Sequence, residues 1–514
     1  MKKEKNKVLK KTIQLIIVAF FAKGLGFIRE MVLANYYGTS YVSDVFVAVQ
    51  NIPAVIFTVF GTAVTTGFIP LYTEIHTKKG QAEADKFANN VFNIFLILSI
   101  ILSCLGVIFS KQLVYIFAGG FSGETYELCN KFTQIVIPTS IPIILVYVYN
   151  AYLQINGFFN QNSLMNVPYN IMLIISIVLG FYTGNNYILA IGLLMASFSQ
   201  FLYLQVLIKR KTKFKHIKYL KLNDKIIWNM LVLVGPMFIS TGINQINAIV
   251  DRSLASRLVE GSVSALNYSN EIVSIVTQVI ILSLTTILYP TMTKLFAIGN
   301  KDEESKFVEK YITIVALLVF PLSALIFIFS KEIVAILFGR GAFSKETVIF
   351  VSNALKIYSI GIIGASFRDV MNKIFYSMKN TITPMVNGII SVCINIFLNF
   401  ILIEKFKYLG LAFATSFSSI ICTILMSIQL LKKMEDMNIK KIVCEFIKII
   451  ISTIIMVVFF WALNKIFTIK SEIIMCVVNG ILLILIYVVN LLALKEEYTL
   501  GILKNIVIML KKNN

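Results

Sequence analysis

Residues 109–125 read FSKQLVYIFAGGFSGET, and residues 329–347 read FSKEIVAILFGRGAFSKET. Ser110-Lys111 and Ser330-Lys331 stand 220 positions apart. Working outward, the same offset relates Lys86-Phe87 to Lys306-Phe307, and Pro70 of FIPLYTE to Pro290 of LYPTMTK. Phe121-Ser122 and Phe343-Ser344 are 222 apart, which places a two-residue insertion in one loop. Apolar helices resemble one another by chance. An offset held through polar loop residues does not arise so easily, so the chain is expected to contain an internal repeat.

The surrounding composition says what is repeated. The chain has 514 residues, of which 57% are hydrophobic and 14% charged. A soluble domain carries about 25% charged residues. A membrane span needs roughly 20 apolar residues, and about fourteen such segments can be marked, from 12–36 to 472–494. Each must be helical, because lipid offers the backbone no hydrogen-bond partner. The runs are too long and continuous for a β-barrel. The expected fold is therefore all-α integral membrane. Two six-helix lobes, 1–210 and 211–440, would be related by a pseudo-twofold axis along the membrane normal. Two C-terminal helices and a tail would follow over 441–514. An even number of spans per repeat keeps both copies in one orientation, as in transporters with a shared site near the midplane.

Charge sets the orientation. Lys+Arg 47 against Asp+Glu 26 gives +21, and alternate loops take most of it. The inside loops hold about thirty Lys and Arg and the outside loops about nine. Lys2, Lys3, Lys5, Lys7, Lys10 and Lys11 precede the first span, which is too long for a signal peptide and lacks a small-residue cleavage site. Lys511-Lys512 lie in the tail. Both termini are expected in the cytoplasm. The run from Lys209 to Lys221 alternates Lys with Phe214 and Tyr219 and could mimic a nucleic-acid patch. Its position between two spans makes it a headgroup-facing loop.

Several kinds of chemistry have little raw material. The six cysteines are scattered with no CxxC pair, and His76 and His216 fall in charged loops, where they are expected to be solvated. The outside loops near 111–128 and 331–347 are short and carry no paired carboxylates, so no enzyme active site is expected. No cofactor is expected beyond a coupling cation or proton, or the membrane potential. A monomer is expected.

Ionisable groups inside spans are costly and mark pathways. Lys23, Arg29 and Glu30 lie in the first span and Asp44 opens the second. Asp251 and Arg252 end the seventh, Glu271 is in the eighth, and Lys356, Arg368, Asp369 and Lys373 run along the tenth. Asn267 and Asn270 add polarity to the eighth. Spans five, nine and fourteen are nearly free of charge and can face lipid. Lys23 and Arg29 are about 120° short of sharing a face, but Gly24 and Gly26 between them loosen the helix. Arg29 could line a cavity, or pair with Asp44 or Glu30 and fix the outer end of the bundle. Asp251-Arg252 and Arg368-Asp369 could equally be structural pairs.

The stretches KGLGFIRE (23–30), GTSYVSDVF (38–46), FIPLYTE (68–74), EGSVSALNY (260–268), LFGRGAF (337–343) and FYSMKNTITP (375–384) resemble the MurJ (MviN) family of lipid II flippases. This family belongs to the multidrug/oligosaccharidyl-lipid/polysaccharide exporter superfamily. The resemblance implies alternating access that moves an undecaprenyl-diphosphate-linked peptidoglycan precursor from the inner to the outer leaflet. It implies diphosphate binding by Lys23 and Arg29, and an acidic role for Asp44. Arg252, Asn267, Asn270 and Glu271 complete the expected substrate site, and Asp44, Asp251 and Glu271 are the coupling-ion candidates. Two departures stand out. The run Pro53-Ala54-Val55-Ile56-Phe57 lacks an arginine that the family often has, and Asn270 is followed by Glu271 where arginine is often found. Two other cargoes therefore stay open: another polyprenyl-diphosphate-linked saccharide unit, or a cationic drug exported against a coupling cation.

Overall fold

The computed structural model describes residues 2–212, 214–466 and 475–501. Lys213, Lys511, Lys512, and the side chains of Asn244 and of the lysines at 2–11 lie outside the described residues. The described secondary structure is helical throughout. In order come α1 (Lys2–Tyr37), α2 (Tyr41–Lys79), α3 (Gln81–Ile108), α4 (Ser110–Ala118), α5 (Gly123–Val136) and α6 (Ser140–Ile155). Then follow α7 (Gln161–Leu164), α8 (Asn166–Thr183), α9 (Tyr187–Lys211), α10 (Lys225–Ala255) and α11 (Ser262–Ile298). The remainder are α12 (Lys301–Ile328), α13 (Ser330–Phe338), α14 (Lys345–Ser377), α15 (Ile382–Lys433), α16 (Ile439–Ile466) and α17 (Gly480–Ala493). Among the described residues, ten helices are long and apolar enough to cross a membrane.

The repeat is written into the helix boundaries. α3 and α12 each have 28 residues and begin 220 positions apart, at Gln81 and Lys301. α4 and α13 each have nine, beginning at Ser110 and Ser330. α2 and α11 carry their internal prolines, Pro70 and Pro290, at the same offset. The stretches read above as outside loops are thus partly helical. Their buried residues show why: Val114, Phe117 and Ala118 in α4, and Val334 and Phe338 in α13, fall at three- and four-residue spacing and give each short helix one apolar face. In α15, Lys407 has φ 52° and ψ −134°, a non-helical kink that divides the long apolar run into two helical segments.

The chain forms two compact units. One comprises residues 1–267 with 340–344, and the other 268–339 with 345–514. In the first, α2 packs on α5, α6 and α10, and α1 packs on α8. Phe68, Tyr72, Phe87 and Phe92 form part of an aromatic core there. In the second, α14 lies along α15 and α12. Small polar side chains join them: Thr423 Oγ1 donates to the Gly364 carbonyl at 2.8 Å, and Ser323 Oγ to that of Ser359 at 2.6 Å. Such residues let helix backbones approach closely where water is absent. The C-terminal pair is tied in by Tyr487, whose hydroxyl donates to the Leu317 carbonyl at 3.1 Å.

Within the first unit, the two loops quoted at the outset are used reciprocally. The loop after α4 rests on the end of α10, where the Gly120 N–H donates to Ser256 Oγ at 3.0 Å. The loop after α13 rests on the end of α1, where the Ala342 N–H donates to the Asn35 carbonyl at 2.8 Å. Each copy's loop therefore covers the first helix of the other copy. Glycine is required at both contacts. A Cβ on Gly120 would stand 2.3 Å from the Arg257 nitrogen, and one on Gly341, whose φ is +60°, would stand 2.2 Å from the Asn35 oxygen.

Gly341→Ala is expected to lower the thermal unfolding midpoint in detergent by several degrees. A left-handed backbone costs an L-residue roughly 1–2 kcal/mol before the overlap is counted. Gly388→Ala, inside α15 with nothing within 4 Å of the added carbon, should leave the midpoint unchanged or raise it. Equal midpoints for the two variants would show that the loop contact carries no stability.

Candidate functional site

Arg29 is the most enclosed of the cations expected in the first span. α1 passes through Gly24 and Gly26 as one helix. Lys23 is exposed, whereas the Arg29 side chain keeps only 13% of its surface. Three residues apart on a helix is close to one face, so Gly26 and Arg29 meet the same neighbour, α8. A Cβ on Gly26 would lie 3.7 Å from the Asn170 amide, and Arg29 Nη1 donates to Asn170 Oδ1 at 3.2 Å. Arg29 Nη2 donates to Glu30 Oε1. The other oxygen of Glu30 accepts from Asn267 Nδ2, at the start of α11, at 3.2 Å.

The network continues behind Asn170, which is buried. Its amide donates to the Asn166 carbonyl at 2.9 Å, and Gln200 Nε2 of α9 donates to Asn166 Oδ1 at 3.0 Å. Asn150 Nδ2 of α6 reaches Asn162 Oδ1 at 3.0 Å. Tyr169 feels both Arg29 and Glu30 and hydrogen-bonds Gln50 of α2. A polar row thus runs through four helices to one guanidinium. The sequence reading missed Asn162 of α7 and Asn166 and Asn170 of α8, although their four-residue spacing is the one that places side chains on a common face. It also treated this span as lipid-facing because it bears no charge. Ile171, Ile175 and Leu179 do present an exposed apolar face, but the opposite face holds the arginine's partners.

Asp44 does a different job. It is 3% exposed in the first turn of α2. Its carboxylate accepts from the Gly261 N–H at 2.7 Å, the Ser264 N–H at 2.7 Å and Ser264 Oγ at 2.6 Å. The first N–H groups of a helix have no intrahelical acceptor, and a carboxylate there also meets the favourable end of the helix dipole. Asp44 therefore caps α11. Glu260 returns the favour, for its Oε1 accepts from the Tyr41 N–H that opens α2, at 2.8 Å. Asp44 and Ser264 are themselves 220 residues apart, so the contact joins a position to its own counterpart in the repeat. Of the two partners expected for Arg29, Glu30 is the one found.

The other expected residues fall elsewhere. Asp251 and Arg252 are half-buried near the end of α10, and Asn247 Nδ2 donates to Asp251 Oδ2 at 3.3 Å. Asn270 is exposed and Glu271 half-buried in α11. Both belong to the second unit, as do Lys356, Arg368, Asp369 and Lys373. Among the described residues no cluster of three metal-binding side chains occurs.

An all-helical chain with an internal repeat and buried intramembrane charge defines a polytopic membrane transporter fold. Solved structures agree. An inward-facing multidrug resistance MATE family transporter of the MOP superfamily superposes with a TM-score of 0.68 at 16% identity, over 82% of this chain and 98% of that one. A structure described as "Lipid II flippase MurJ, inward closed conformation" superposes with a TM-score of 0.81 at 26% identity, over 93% and 98%. The family model "Lipid II flippase MurJ" matches residues 33–480, and the chain belongs to that family. Relatives named "Probable lipid II flippase MurJ" include one from Buchnera aphidicola subsp. Baizongia pistaciae, 27% identical over 80% of this chain and 81% of that protein. Another, from Rickettsia prowazekii, is 26% identical over 79% and 80%.

Asp44→Ala leaves two backbone donors and a hydroxyl without their acceptor. Such a loss costs about 1–3 kcal/mol for each buried group left unmet. The thermal midpoint in detergent should fall clearly, and Asp44→Asn, which keeps one acceptor oxygen, should fall less. An Asp44→Ala protein as stable as wild type would remove the capping role.

Proposed function

We propose that this chain is a lipid II flippase of the bacterial cytoplasmic membrane. It would move the undecaprenyl-diphosphate-linked peptidoglycan precursor from the inner to the outer leaflet by alternating access, with both termini in the cytoplasm. Family membership over residues 33–480 supports the cargo class. The observation that carries the reading to a site is Arg29, held on an apolar helix by Asn170 and Glu30. The proposed full complement is fourteen spans: the ten helices already counted, α1, α10 and α11, and the division of α15 at Lys407. The lobes at 1–210 and 211–440, with two extra helices over 441–514, are part of the same proposal.

The physical problem is a diphosphate that cannot enter hydrocarbon unpaired. A guanidinium meets phosphate bidentately through charge-assisted hydrogen bonds. Glu30 occupies one edge of Arg29. An arriving diphosphate would take that edge, while Glu30 keeps Asn267 and Asn170 keeps the other side. Arg29 would never be left bare. Lys23 sits about 9 Å along the helix axis toward the N-terminus, exposed and able to meet the headgroup on its way. The polyprenyl tail would stay in lipid, and no covalent bond would change. Arg252, Asn267, Asn270 and Glu271 remain in the proposed substrate site.

Asp44 accepts three hydrogen bonds as a cap, which favours a structural part for it over ion binding. The coupling-ion candidates narrow to Asp251 and Glu271, with the membrane potential as the other energy source. A potential acts on a moving charge at about 2.3 kcal/mol per 100 mV.

Complementation of a flippase-depleted bacterium, with leaflet labelling of lipid II, tests both levels. The wild-type chain should restore growth and outer-leaflet lipid II. Arg29→Ala should reach the membrane in normal amount and restore neither. Arg29→Lys, a point charge without the planar fork, should restore part. Failure of the wild type would reject the cargo; full rescue by Arg29→Ala would reject the site.

A further inference from the structure

The basic segment between α9 and α10 is not a loose loop. Residues 214–222 lie against α3 without helical structure, and three asparagines of that helix hold the backbone. Asn89 Oδ1 accepts from the Ile217 N–H at 2.8 Å, and its Nδ2 donates to the Lys215 carbonyl at 3.1 Å. Asn90 Oδ1 accepts from the Lys221 N–H at 2.7 Å, and its Nδ2 donates to the Lys221 carbonyl at 3.1 Å. Asn93 Nδ2 donates to the carbonyls of Ile217 and Tyr219 at 3.1 and 2.9 Å. Asn89 and Asn90 are fully buried by the strap. His216, expected to be simply solvated, also reaches Asn89 Oδ1 at 3.0 Å and packs edge-on to Phe92. Partial burial holds its imidazole below the usual range, so it is neutral at pH 7 and the strap's charge comes from lysine.

What the clamp presents is an unusual mixture. Lys215, Lys218 and Lys221 are exposed, and so are Ile217, Leu220 and Leu222 between and beside them. Trp228, in the first turn of α10, is 59% exposed. Lys209, Arg210, Lys211 and Lys225 flank the strap and are exposed as well. The acid in this stretch, Asp224, is engaged as the N-cap of α10, accepting from the Ile226 N–H at 2.9 Å.

The depth of the clamp explains the mixture. Asn89 to Asn93 lie about 12–18 Å along α3 from its start at Gln81. α3 has 28 residues and so spans about 42 Å, against roughly 30 Å of hydrocarbon. Its charged first turns, with Glu83, Asp85 and Lys86, belong in water. The strap therefore crosses α3 near the boundary between headgroups and acyl chains. There apolar side chains enter lipid while lysine ammonium groups reach outward to phosphate.

The repeat separates the clamp from what it displays. Glu309 stands 220 residues after Asn89, and its Oε1 accepts from the backbone N–H of Asn438, which stands 220 after Lys218, at 2.6 Å. Tying down the connector is thus a property of both copies. In the second copy the connector carries Glu435 and Asp436. Exposed Lys432, Lys433 and Lys440 stand there too, but these two acids offset them, whereas in the first copy the lysines are offset by Asp224 alone.

We propose that residues 209–212 and 214–228 form a binding surface for anionic phospholipid of the inner leaflet. Lys215, Lys218 and Lys221 contact headgroup phosphates, and Ile217, Leu220, Leu222 and Trp228 seat in the upper acyl region. The surface is independent of which cargo is carried. The chain has two tryptophans, so Trp461→Phe leaves Trp228 as the only indole. In the test this full-length variant is reconstituted into vesicles containing phosphatidylglycerol or phosphatidylcholine brominated at the upper acyl carbons, at equal mole fraction. Trp228 fluorescence should be quenched at least twofold more by the brominated phosphatidylglycerol. Adding K215Q, K218Q and K221Q together should abolish that preference while quenching by phosphatidylcholine persists. Asn93→Ala, with every lysine intact, should weaken the preference, which separates held geometry from net charge. Equal quenching by the two lipids in the Trp461→Phe protein would overturn the proposal, as would a preference that survives the triple substitution. A preference untouched by Asn93→Ala would overturn the clamp's part in it.

Discussion

A guanidinium on a membrane helix must bring its own solvation, and the arrangement around Arg29 follows from that need. Water is replaced by an amide on one side and a carboxylate on the other. Removing a partner from a buried charge is far more costly than exchanging it for another of the same sign. The asparagine row of α8 therefore belongs to the site as much as the arginine does. It keeps one edge of the cation satisfied whatever occupies the other. In the proposed function this would let Glu30 give way to a phosphate without an interval of unpaired charge.

The same principle, applied to helix ends, organises the side of the first unit where α1 meets α2. The start of α11 needs acceptors and the start of α2 needs one too. Asp44 and Glu260 supply them crosswise. The two loops laid on the ends of α1 and α10 add donors there, the Ala342 N–H to the Asn35 carbonyl and the Gly120 N–H to Ser256 Oγ. Internal repetition makes such reciprocity inexpensive to specify, since a contact between two equivalent positions needs only one neighbourhood to be solved twice. Asn267, three residues beyond Ser264, places the Glu30 contact on the same face of α11 as the Asp44 cap. The Asp44 cap and the Glu30 contact therefore lie within one turn of each other on α11.

Much of the fold was legible because membrane chains obey few rules. Apolar run length marked the chain as helical and membrane-spanning, and the 220-residue offset reappeared in helix boundaries as well as in sequence. The divided run at Lys407 was visible as a charged interruption between two apolar segments. The short helices α4 and α13 were not recovered, because nine residues in a polar-flanked stretch read as loop unless the spacing of Val114, Phe117 and Ala118 is weighed. Charge drew attention to Arg29, Glu30 and Asp44 in the sequence, but not to the neutral groups that surround them. Uncharged amides such as Asn170 carry no hydropathy signal strong enough to stand out in an apolar helix. Asn89, Asn90 and Asn93 escaped notice for the same reason, since their function depends on a strap more than 120 residues away. Long-range pairing of neutral polar groups is the part of structure that composition and periodicity do not encode.

In the proposed function Glu30 holds Arg29 in reserve for an anionic headgroup. Equilibrium binding of purified lipid II to detergent-solubilised wild-type and Glu30→Gln protein tests it most directly. Glutamine preserves an acceptor for Asn267 or Arg29 but no longer competes as an anion. Lipid II should then bind roughly tenfold more tightly, equivalent to about 1.4 kcal/mol. Unchanged or weaker binding by a stably folded Glu30→Gln protein would contradict the claim, and would make the pair a structural tie.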